Sequence, residues 1–337
     1  MDQTDQLRGQ VDAAREDGTP LSIESGGTKA FLGNPVTTNA APLSVSGHVG
    51  ILSYEPAELV LRARAGTRLV ELEAALAEAG QIFGFEPPHF GDNATLGGCV
   101  SAGLSGPRRA FAGSVRDFVL GVTLLTGSGE VLKFGGEVMK NVAGYDVSRL
   151  STGAYGTLGV LLDVSLKVLP APREEVTLAL DCDAVSAHTR MVALAREPWP
   201  VSASAWCDGV LYVRLAAESA VVNRVAAKLG GLPMDGTIWH GLRELTHPVL
   251  AAPKELWRAS VAPASTTGLA DALAVDWNGG IRYYAERPAG PHVTRLRGGA
   301  GEPFSHPGAL QMRLQERLKD TFDPARILNP GRMYAGL

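Results

Sequence analysis

Hydrophobic and polar positions follow two different patterns along the chain, and the change falls near residue 170. In the first part, short apolar runs alternate with Gly-rich segments. Among them, three leucines recur at helical spacing (Leu69, Leu72, Leu76), and we interpret them as the face of a helix that packs in the hydrophobic core. Thr4 and Thr67 are the expected caps of two helices, which end at Gly18 and Gly80. The first part also predicts strands at 20–23, 49–53, 59–65, 117–126 and 131–134.

The second part has fewer glycines and longer periodic runs. It predicts helices at 184–195, 219–229 and 309–319, and strands at 176–180, 202–206, 210–215, 257–261, 281–285 and 292–296. Its order of strand, helix, strand, strand, helix, strand predicts a small antiparallel sheet backed by helices. Pro170, Ala171 and Pro172 separate the two parts, so we expect a domain boundary there. The expected fold class is α+β.

Residues 91–113, with the sequence GDNATLGGCVSAGLSGPRRAFAG, are the most unusual stretch. Small residues are so dense here that we expect neither a strand nor a helix interior. Backbone pressed against a flat, rigid partner such as a bound cofactor would explain this composition, since free N–H groups in such loops bind phosphate. The alternative is a mobile surface loop.

A second candidate site follows the first predicted strand, at Ser25-Gly26-Gly27-Thr28-Lys29. Successive N–H groups and the Thr28 hydroxyl suit a pyrophosphate. An ordinary turn is the alternative. The segment matches neither the GxGxxG dinucleotide fingerprint nor the P-loop pattern.

Composition limits the function classes. The chain has 337 residues, of which 45% are hydrophobic and 20% charged, and its net charge is -4. No basic run indicates nucleic acid, no apolar segment is long enough to span a bilayer, and the polar start does not resemble a signal peptide. Cys99, Cys182 and Cys207 are far apart, so we expect reduced thiols, no metal site and a cytoplasmic protein.

Several short motifs occur in a fixed order: Ser25-Gly26-Gly27-Thr28, Ala94-Thr95-Leu96-Gly97-Gly98, Lys140-Asn141-Val142-Ala143-Gly144-Tyr145-Asp146, Gly156-Thr157-Leu158-Gly159-Val160, Phe322-Asp323-Pro324 and Asn329-Pro330-Gly331. In this order they resemble the vanillyl-alcohol oxidase and D-2-hydroxyacid dehydrogenase superfamily of FAD-binding proteins. Within it, the chain is similar to the family of small FAD-binding subunits of glycolate oxidase. Further landmarks of that family are Leu256-Trp257-Arg258, Trp277-Asn278-Gly279-Gly280 and the closing Asn329-Pro330-Gly331-Arg332-Met333-Tyr334.

The resemblance implies an α+β protein in three parts. Residues 1–170 would form a PCMH-type FAD-binding domain of two subdomains, and 171–304 a ferredoxin-like cap domain. Residues 305–337 would return to the FAD domain.

The resemblance also implies which residues contact FAD. The pyrophosphate would lie on the loop from Ser25 to Lys29, and Gly159 and Val160 would meet the adenine end through their backbone. In relatives with a covalent flavin a His often follows the Gly-Gly pair, and Thr28 stands there, so we expect non-covalent FAD. The predicted contacts are Ser25, Gly26, Gly27, Thr28, Lys29, Ala94, Thr95, Leu96, Gly97, Gly98, Ser101, Gly106, Arg109, Gly113, Ser114, Gly159, Val160 and Asn329. For 140–146 a fold-defining turn is the alternative to a ligand site.

Oxidation of a 2-hydroxy acid needs a cation for the carboxylate, a base for the hydroxyl proton and a hydride path to the flavin. Larger relatives supply the first two with Arg and a paired-His metal site near a Gly-Asp-Gly-Asn segment, which this chain lacks. The catalytic residues are therefore unknown, with His292, Arg258 and Arg295 as weak candidates. Four arginines either gather around a carboxylate or form a surface that is partner-facing or ion-paired: Arg258, Arg282, Arg295 and Arg297.

Two main hypotheses follow. In the first, the chain is a flavoprotein subunit of a glycolate oxidase complex, with a larger FAD-containing catalytic subunit and an iron–sulfur subunit as partners. It would be cytoplasmic and meet a membrane surface only through that complex. In the second, it is a self-sufficient 2-hydroxyacid oxidoreductase. A third hypothesis is a non-redox assembly subunit.

Overall fold

The computed structural model describes residues 1–37, 39–136 and 146–337. Its helices are α1 Thr4–Asp17, α2 Leu69–Glu78, α3 Leu96–Ala102, α4 Arg109–Ala112, α5 Val115–Phe118, α6 Val147–Ser151, α7 Ala184–Leu194, α8 Ser219–Leu229, α9 Thr237–Arg243, α10 Pro248–Ala251 and α11 Ala309–Phe322. The strands are β1 Leu21–Glu24, β2 Ala41–Ser44, β3 Ile51–Glu55, β4 Val60–Arg64, β5 Gln81–Ile82, β6 Val119–Leu125, β7 Val131–Gly135, β8 Val160–Lys167, β9 Leu169–Pro170, β10 Glu174–Asp181, β11 Val201–Cys207, β12 Val210–Ala217, β13 Leu232–Met234, β14 Leu256–Ser260, β15 Ala274–Asp276, β16 Ile281–Tyr284 and β17 Val293–Arg297.

The described residues of the first part form a five-stranded sheet and two small two-stranded sheets, one of which pairs β5 with β9. Strands β1 and β2 form a parallel pair, and a five-stranded antiparallel sheet has the order β3-β4-β8-β6-β7. Leu7, Val11 and Ala14 of α1 are buried in the hydrophobic core of this part, as their helical spacing predicts. Gly18 ends α1 in the left-handed conformation with φ +65, which glycine adopts without strain.

The second part builds one eight-stranded antiparallel sheet in the order β13-β10-β12-β11-β15-β16-β14-β17. The six strands predicted for this part correspond to β10, β11, β12, β14, β16 and β17. Strands β13 and β15 were not predicted, and they complete the single sheet. The predicted α+β class is confirmed; the division at 170 and 304 stays a prediction.

The C-terminal segment returns to the first part of the chain. Leu328 lies beside Leu21 as a parallel bridge, and the Asn329 N–H donates to the Leu21 carbonyl at 2.9 Å. The Leu21 N–H in turn donates to the Ile327 carbonyl at 2.7 Å. The segment thereby acts as an extra strand on the outer side of β1.

Three predictions of local structure are wrong. The small-residue stretch is not loop throughout, because α3 runs through Gly97 and Gly98; Thr95 caps it, with the side chain accepting from the Gly98 N–H. Thr67 does not cap α2, since its hydroxyl accepts from the Gly50 N–H at 2.9 Å. Thr4 lies inside α1, whose cap position holds Gln3 without a side-chain hydrogen bond. The predicted motif at 140–145 lies outside the described residues.

Candidate functional site

A cavity of about 540 Å³ lies where the loop after β1, helix α3, the start of β8 and the C-terminal segment meet. This volume is in the usual range for a ligand site. The structure brings together here a large share of the predicted cofactor contacts: Ser25, Gly26, Gly27, Thr28, Lys29, Thr95, Gly97, Gly98, Ser101, Val160 and Asn329.

The loop after β1 presents polar groups that have no partner within the described part of the chain. The backbone N–H groups of Gly26, Gly27, Thr28 and Lys29 donate to no described residue, and the buried Ser25 hydroxyl also lacks a partner. Gly26 must be glycine, because an added Cβ would lie 1.6 Å from the Asn93 carbonyl oxygen. Unpaired donors of this kind fit the oxygens of a pyrophosphate.

Lys29 places a cation at the same end of the cavity. Its Nζ lies 3.2 Å from the His89 carbonyl oxygen and 5.6 Å from the centre of the Phe90 ring. Burial lowers the pKa of Lys29, and the charge of Glu244 opposes this shift. A bound anion would stabilise the charged ammonium, so the residue fits a phosphate neighbour.

Helix α3 forms the wall opposite this loop. Its backbone can approach closely because an added Cβ on Gly97 would lie 2.8 Å from the Ala65 methyl group. Both Gly97 and Gly98 line the cavity, and an added Cβ on Gly98 would lie 3.2 Å from the Thr95 hydroxyl oxygen. The glycines therefore let α3 pack against the sheet on one side and face the cavity on the other.

Asn329 joins two walls of the cavity. Its side chain accepts from the Ile23 N–H at 2.7 Å and donates to the Tyr155 carbonyl at 2.7 Å. Tyr155 and Arg332 also line the cavity, and the sequence interpretation missed both as site residues. The signal was present, since Tyr155 directly precedes the quoted motif that begins at Gly156 and Arg332 lies within the closing motif.

The other predicted cofactor contacts lie outside this cavity: Ala94, Leu96, Gly106, Arg109, Gly113, Ser114 and Gly159. Ala94 and Leu96 are core residues. Gly159 packs against Leu124, and Ser114 caps α5 together with Asp117. As FAD contacts these residues stay predictions.

The four arginines of the second part do not gather at one point. Arg282 is fully buried and donates to the Thr267 and Ser265 carbonyls, so it is not partner-facing. Arg297 donates to the Leu250 carbonyl at 2.7 Å, and Arg295 to the Gly301 carbonyl at 2.8 Å. Both line a second cavity of about 720 Å³.

The candidate base His292 is exposed and lies outside the cavities described here. Arg258 instead turns toward Trp277, with its guanidinium carbon 5.7 Å from the ring centre. The predicted flavin-side residue Arg109 lies over the same ring at 4.1 Å. The structure therefore pairs Arg258 with Arg109, a combination that the sequence interpretation did not contain.

Asp276, which precedes this tryptophan, is a buried acid that the sequence interpretation also missed. Its carboxylate accepts from the Trp277 N–H at 2.6 Å. Burial raises the pKa of Asp276 to about 7. In the described ranges, no three His, Cys, Asp or Glu side chains are grouped so that they could hold a metal ion, and no helix is long and apolar enough to cross a bilayer.

Comparisons with known proteins agree with this geometry. Residues 1–135 match the FAD binding domain family, which covers the β1 loop and α3. Alkyldihydroxyacetonephosphate synthase shares the fold with a TM-score of 0.68 at 16% identity, over 97% of this chain and 74% of that one. The predicted PCMH-type FAD-binding fold is thereby confirmed, and FAD is the cofactor of its N-terminal domain.

Two relatives in sequence are informative. The D-lactate dehydrogenase of Anaerostipes hadrus is 30% identical over 52% of this chain and 37% of its own length, so the chain spans little more than a third of that enzyme. The glycolate oxidase subunit GlcE of Escherichia coli strain K12 is 44% identical over 100% of this chain and 99% of its own length. Because that match runs end to end and includes both walls of the cavity, the chain belongs to the family of the glycolate oxidase subunit GlcE.

Proposed function

We propose that this chain is the FAD-binding subunit of a complex that oxidises glycolate or D-lactate to the 2-oxo acid and passes the electrons to partner subunits. One observation carries the proposal. The β1 loop offers unpaired N–H groups and the orphaned Ser25 hydroxyl to a cavity that also contains Lys29. The end-to-end similarity to a glycolate oxidase subunit supports the substrate class.

FAD supplies the hydride acceptor for this chemistry when it is bound. The residues of the chain bind and orient it. Ser25, Lys29 and the neighbouring N–H groups would hold the pyrophosphate, and Asn329 would keep the two walls at a fixed spacing. Thr28 cannot form the bond to flavin that a His at this place makes in some relatives, so the cofactor would be non-covalent.

The partners in this proposal are a larger FAD-containing catalytic subunit and an iron–sulfur subunit. The word subunit in the name of the full-length relative supports an assembly. The protein would be cytoplasmic and would reach a membrane surface only through the complex. The arginine pair at Trp277 favours a second candidate, a chain that binds and oxidises the hydroxy acid itself.

Two glycine substitutions test the cofactor site with a matched control. Gly27 and Gly18 have φ +69 and +65, and an added Cβ on either meets nothing within 4 Å. Each Gly→Leu change therefore costs about 1–2 kcal/mol of backbone strain. Only Gly27 lines the cavity. We expect Gly27→Leu to lose FAD, measured by visible absorbance of the purified protein, and Gly18→Leu to keep it. Equal FAD content in the two variants would contradict the proposed site.

The reaction is tested by adding glycolate and D-lactate to the FAD-loaded protein without oxygen. Bleaching of the flavin only after the partner subunits are added would support the subunit proposal. Bleaching of the isolated chain would favour the self-sufficient enzyme. Acid precipitation that leaves all flavin in the supernatant would support non-covalent binding.

A further inference from the structure

A single peptide group connects the FAD cavity to the second part of the chain. The His89 carbonyl and the Phe90 N–H belong to the peptide bond between these two residues. Lys29, which lines the FAD cavity, donates from its Nζ to the His89 carbonyl at 3.2 Å. On the other side of the peptide, the Phe90 N–H donates to the Glu244 carboxylate at 2.6 Å. An ammonium and a carboxylate therefore bind opposite ends of one peptide dipole.

Glu244 directly follows α9, and three donors hold its carboxylate. Besides the Phe90 N–H, the His89 N–H donates to it at 3.1 Å and the Arg243 Nε at 2.7 Å. Burial raises the pKa of Glu244, but these hydrogen bonds and the charge of Arg243 outweigh burial, so the pKa lies below its usual value. The carboxylate therefore stays charged at neutral pH, although the side chain is only 8% exposed.

The turn that ends in this peptide adopts a conformation that its residues rarely have. Phe90 has φ +55 and Glu86 has φ +48, both in the left-handed region. Such a conformation persists only where surrounding contacts enforce it. The Glu86 carboxylate accepts from the Arg108 N–H at 2.7 Å, and Glu244 accepts from the Phe90 N–H. Two carboxylates therefore hold the turn, and Glu244 holds the end that meets the lysine.

Lys29 has a donor left for a ligand. Of the three N–H groups of its ammonium, two are used by the His89 carbonyl and by the Thr28 hydroxyl, which lies at 3.4 Å. Throughout 1–37, 39–136 and 146–337, no further residue accepts a hydrogen bond from this ammonium. Because a pyrophosphate oxygen would use the third donor, the position of the ammonium decides how well it can bind.

We propose that Glu244 is a positioning residue for FAD, which orients the Lys29 ammonium for the pyrophosphate through the peptide group between His89 and Phe90. The inference rests on the proposed function and deepens it, because it assigns a residue of the second part of the chain to the cofactor site of the first. Hydrogen bonds in a chain polarise one another. The negative charge at the N–H end of the peptide therefore strengthens the hydrogen bond that its carbonyl accepts from Lys29.

The charge of Glu244 also acts on Lys29 directly. Burial lowers the pKa of Lys29, and the charges of Cys99 and Glu244 oppose this shift. Burial raises the pKa of Cys99 to about 11, so the thiol is uncharged at neutral pH and Glu244 is the acid that favours the charged lysine. The other ionisable groups beside the turn are His89 and Glu73, whose side chains lie 3.1 Å apart. Loss of the Glu244 charge therefore lowers the pKa of Lys29 further.

The first experiment titrates Lys29 itself in the FAD-free, full-length chain. Competitive acetylation at a series of pH values, read by mass spectrometry, measures the fraction of this amine that is deprotonated. We expect Glu244→Gln, which keeps an acceptor oxygen and removes the charge, to lower the midpoint by about one pH unit. Glu86→Gln is the matched control, because Glu86 is a half-buried carboxylate of the same turn whose partners are Arg108 and Arg214. It should titrate like the parent chain.

The second experiment measures FAD affinity by the quenching of flavin fluorescence when FAD is added to the FAD-free chain. At slightly alkaline pH we expect Glu244→Gln to bind FAD about tenfold more weakly than the parent chain. Glu244→Ala, which also loses the acceptor oxygen, should bind still more weakly. In a Lys29→Met background Glu244→Gln should have no further effect, since no ammonium is left to position.

An unchanged Lys29 midpoint in Glu244→Gln would overturn the proposal. An equal loss of FAD affinity in Glu86→Gln would also overturn it and assign the effect to the packing of the turn, as would an effect of Glu244→Gln that persists without Lys29. If the parent chain takes up no FAD, the proposed function fails and this inference fails with it. If the parent binds FAD and Glu244→Gln binds it equally well, only the inference fails. Urea unfolding verifies that each variant is folded.

Discussion

Lys319 and the pair of Arg109 and Arg258 are cationic sites that are built in opposite ways. Lys319, on α11, is 1% exposed, and its ammonium donates to the Thr157 carbonyl at 2.8 Å, the Asp323 carboxylate at 2.7 Å and the Leu328 carbonyl at 2.7 Å. All three of its donors are used. Arg109 and Arg258 donate to no described residue. One site is complete within the chain, and the other is not.

This difference shows which of the two sites has a structural role at the FAD cavity. Thr157 follows Gly156 on the cavity lining, and Leu328 precedes Asn329, so Lys319 ties together two walls of the FAD cavity without touching its interior. A fully paired buried cation of this kind stabilises the fold around a site. The arginine pair, which has no hydrogen bond or ion pair among the described residues, does not connect the cavity walls in this way.

The largest expected effect on stability is that of replacing Lys319. Lys319→Met removes the ammonium and leaves the Asp323 carboxylate, which is 0% exposed, without its counter-ion. We expect the free energy of unfolding to fall by about 3–5 kcal/mol, measured by urea denaturation. FAD content should fall as well, because the cavity walls lose their link.

Lys228→Met on α8 is the matched control, since Lys228 is exposed and no ion pair of Lys228 occurs in the described part of the protein. It should leave the stability unchanged. A loss of less than about 1 kcal/mol for Lys319→Met would mean that the Ile327 and Leu328 N–H groups, which donate to Asp323 at 3.2 and 2.8 Å, are enough to stabilise its carboxylate. The contrast with the arginine pair would then weaken.

The next largest effect is the pH dependence of stability that Asp276 causes; this residue directly precedes Trp277 and lines a small cavity together with Arg258. Charged groups near it are Glu86, Arg214 and Arg258; Cys207 and Tyr283 also feel its charge. Burial raises the pKa of Asp276 from 3.8 to about 7. Between these two values, the folded protein therefore holds a proton that the unfolded chain releases. The stabilisation of the folded state by this carboxyl group is complete below about pH 4 and is lost as the pH rises through about 7.

Asp276→Asn removes the titration and keeps an oxygen that accepts from the Trp277 N–H. The parent chain should therefore lose stability relative to this variant between pH 4 and 7, by roughly 3 kcal/mol. Urea unfolding at several pH values measures it. Asp181→Asn, at an exposed strand end, should show no such trend. Parallel stability curves for Asp276→Asn and the parent would show that the carboxyl stays charged when folded.

Much of this architecture was accessible from local patterns in the sequence. The apolar spacing of Leu7, Val11 and Ala14 predicted α1, and 219–229 was predicted with the bounds that α8 has. The Gly-rich segments predicted a cofactor cavity, which Gly27 and Gly98 line. These features depend on neighbouring residues only, so periodicity and turn chemistry were enough.

The remainder depended on contacts between distant residues. Helix α3 was missed because glycine disfavours helices locally, whereas close packing on Ala65 requires glycine at position 97. The partnership of Arg109 with Trp277 joins α4 to the second sheet, and no pattern within either segment indicates it. Burial of Asp276, which raises its pKa, is likewise a property of the folded chain.

The smallest expected effect sharpens the comparison most, because it concerns stability at the arginine pair. Arg258→Met removes a guanidinium that has no hydrogen bond or ion pair among the described residues, and it relieves repulsion with Arg109. The opposing loss is the contact with Trp277, worth about 0.5–1 kcal/mol. We therefore expect the free energy of unfolding, measured by urea denaturation, to change by less than about 1 kcal/mol. A destabilisation as large as that of Lys319→Met would show that Arg258 is structural, and the two cationic sites would then be of one kind.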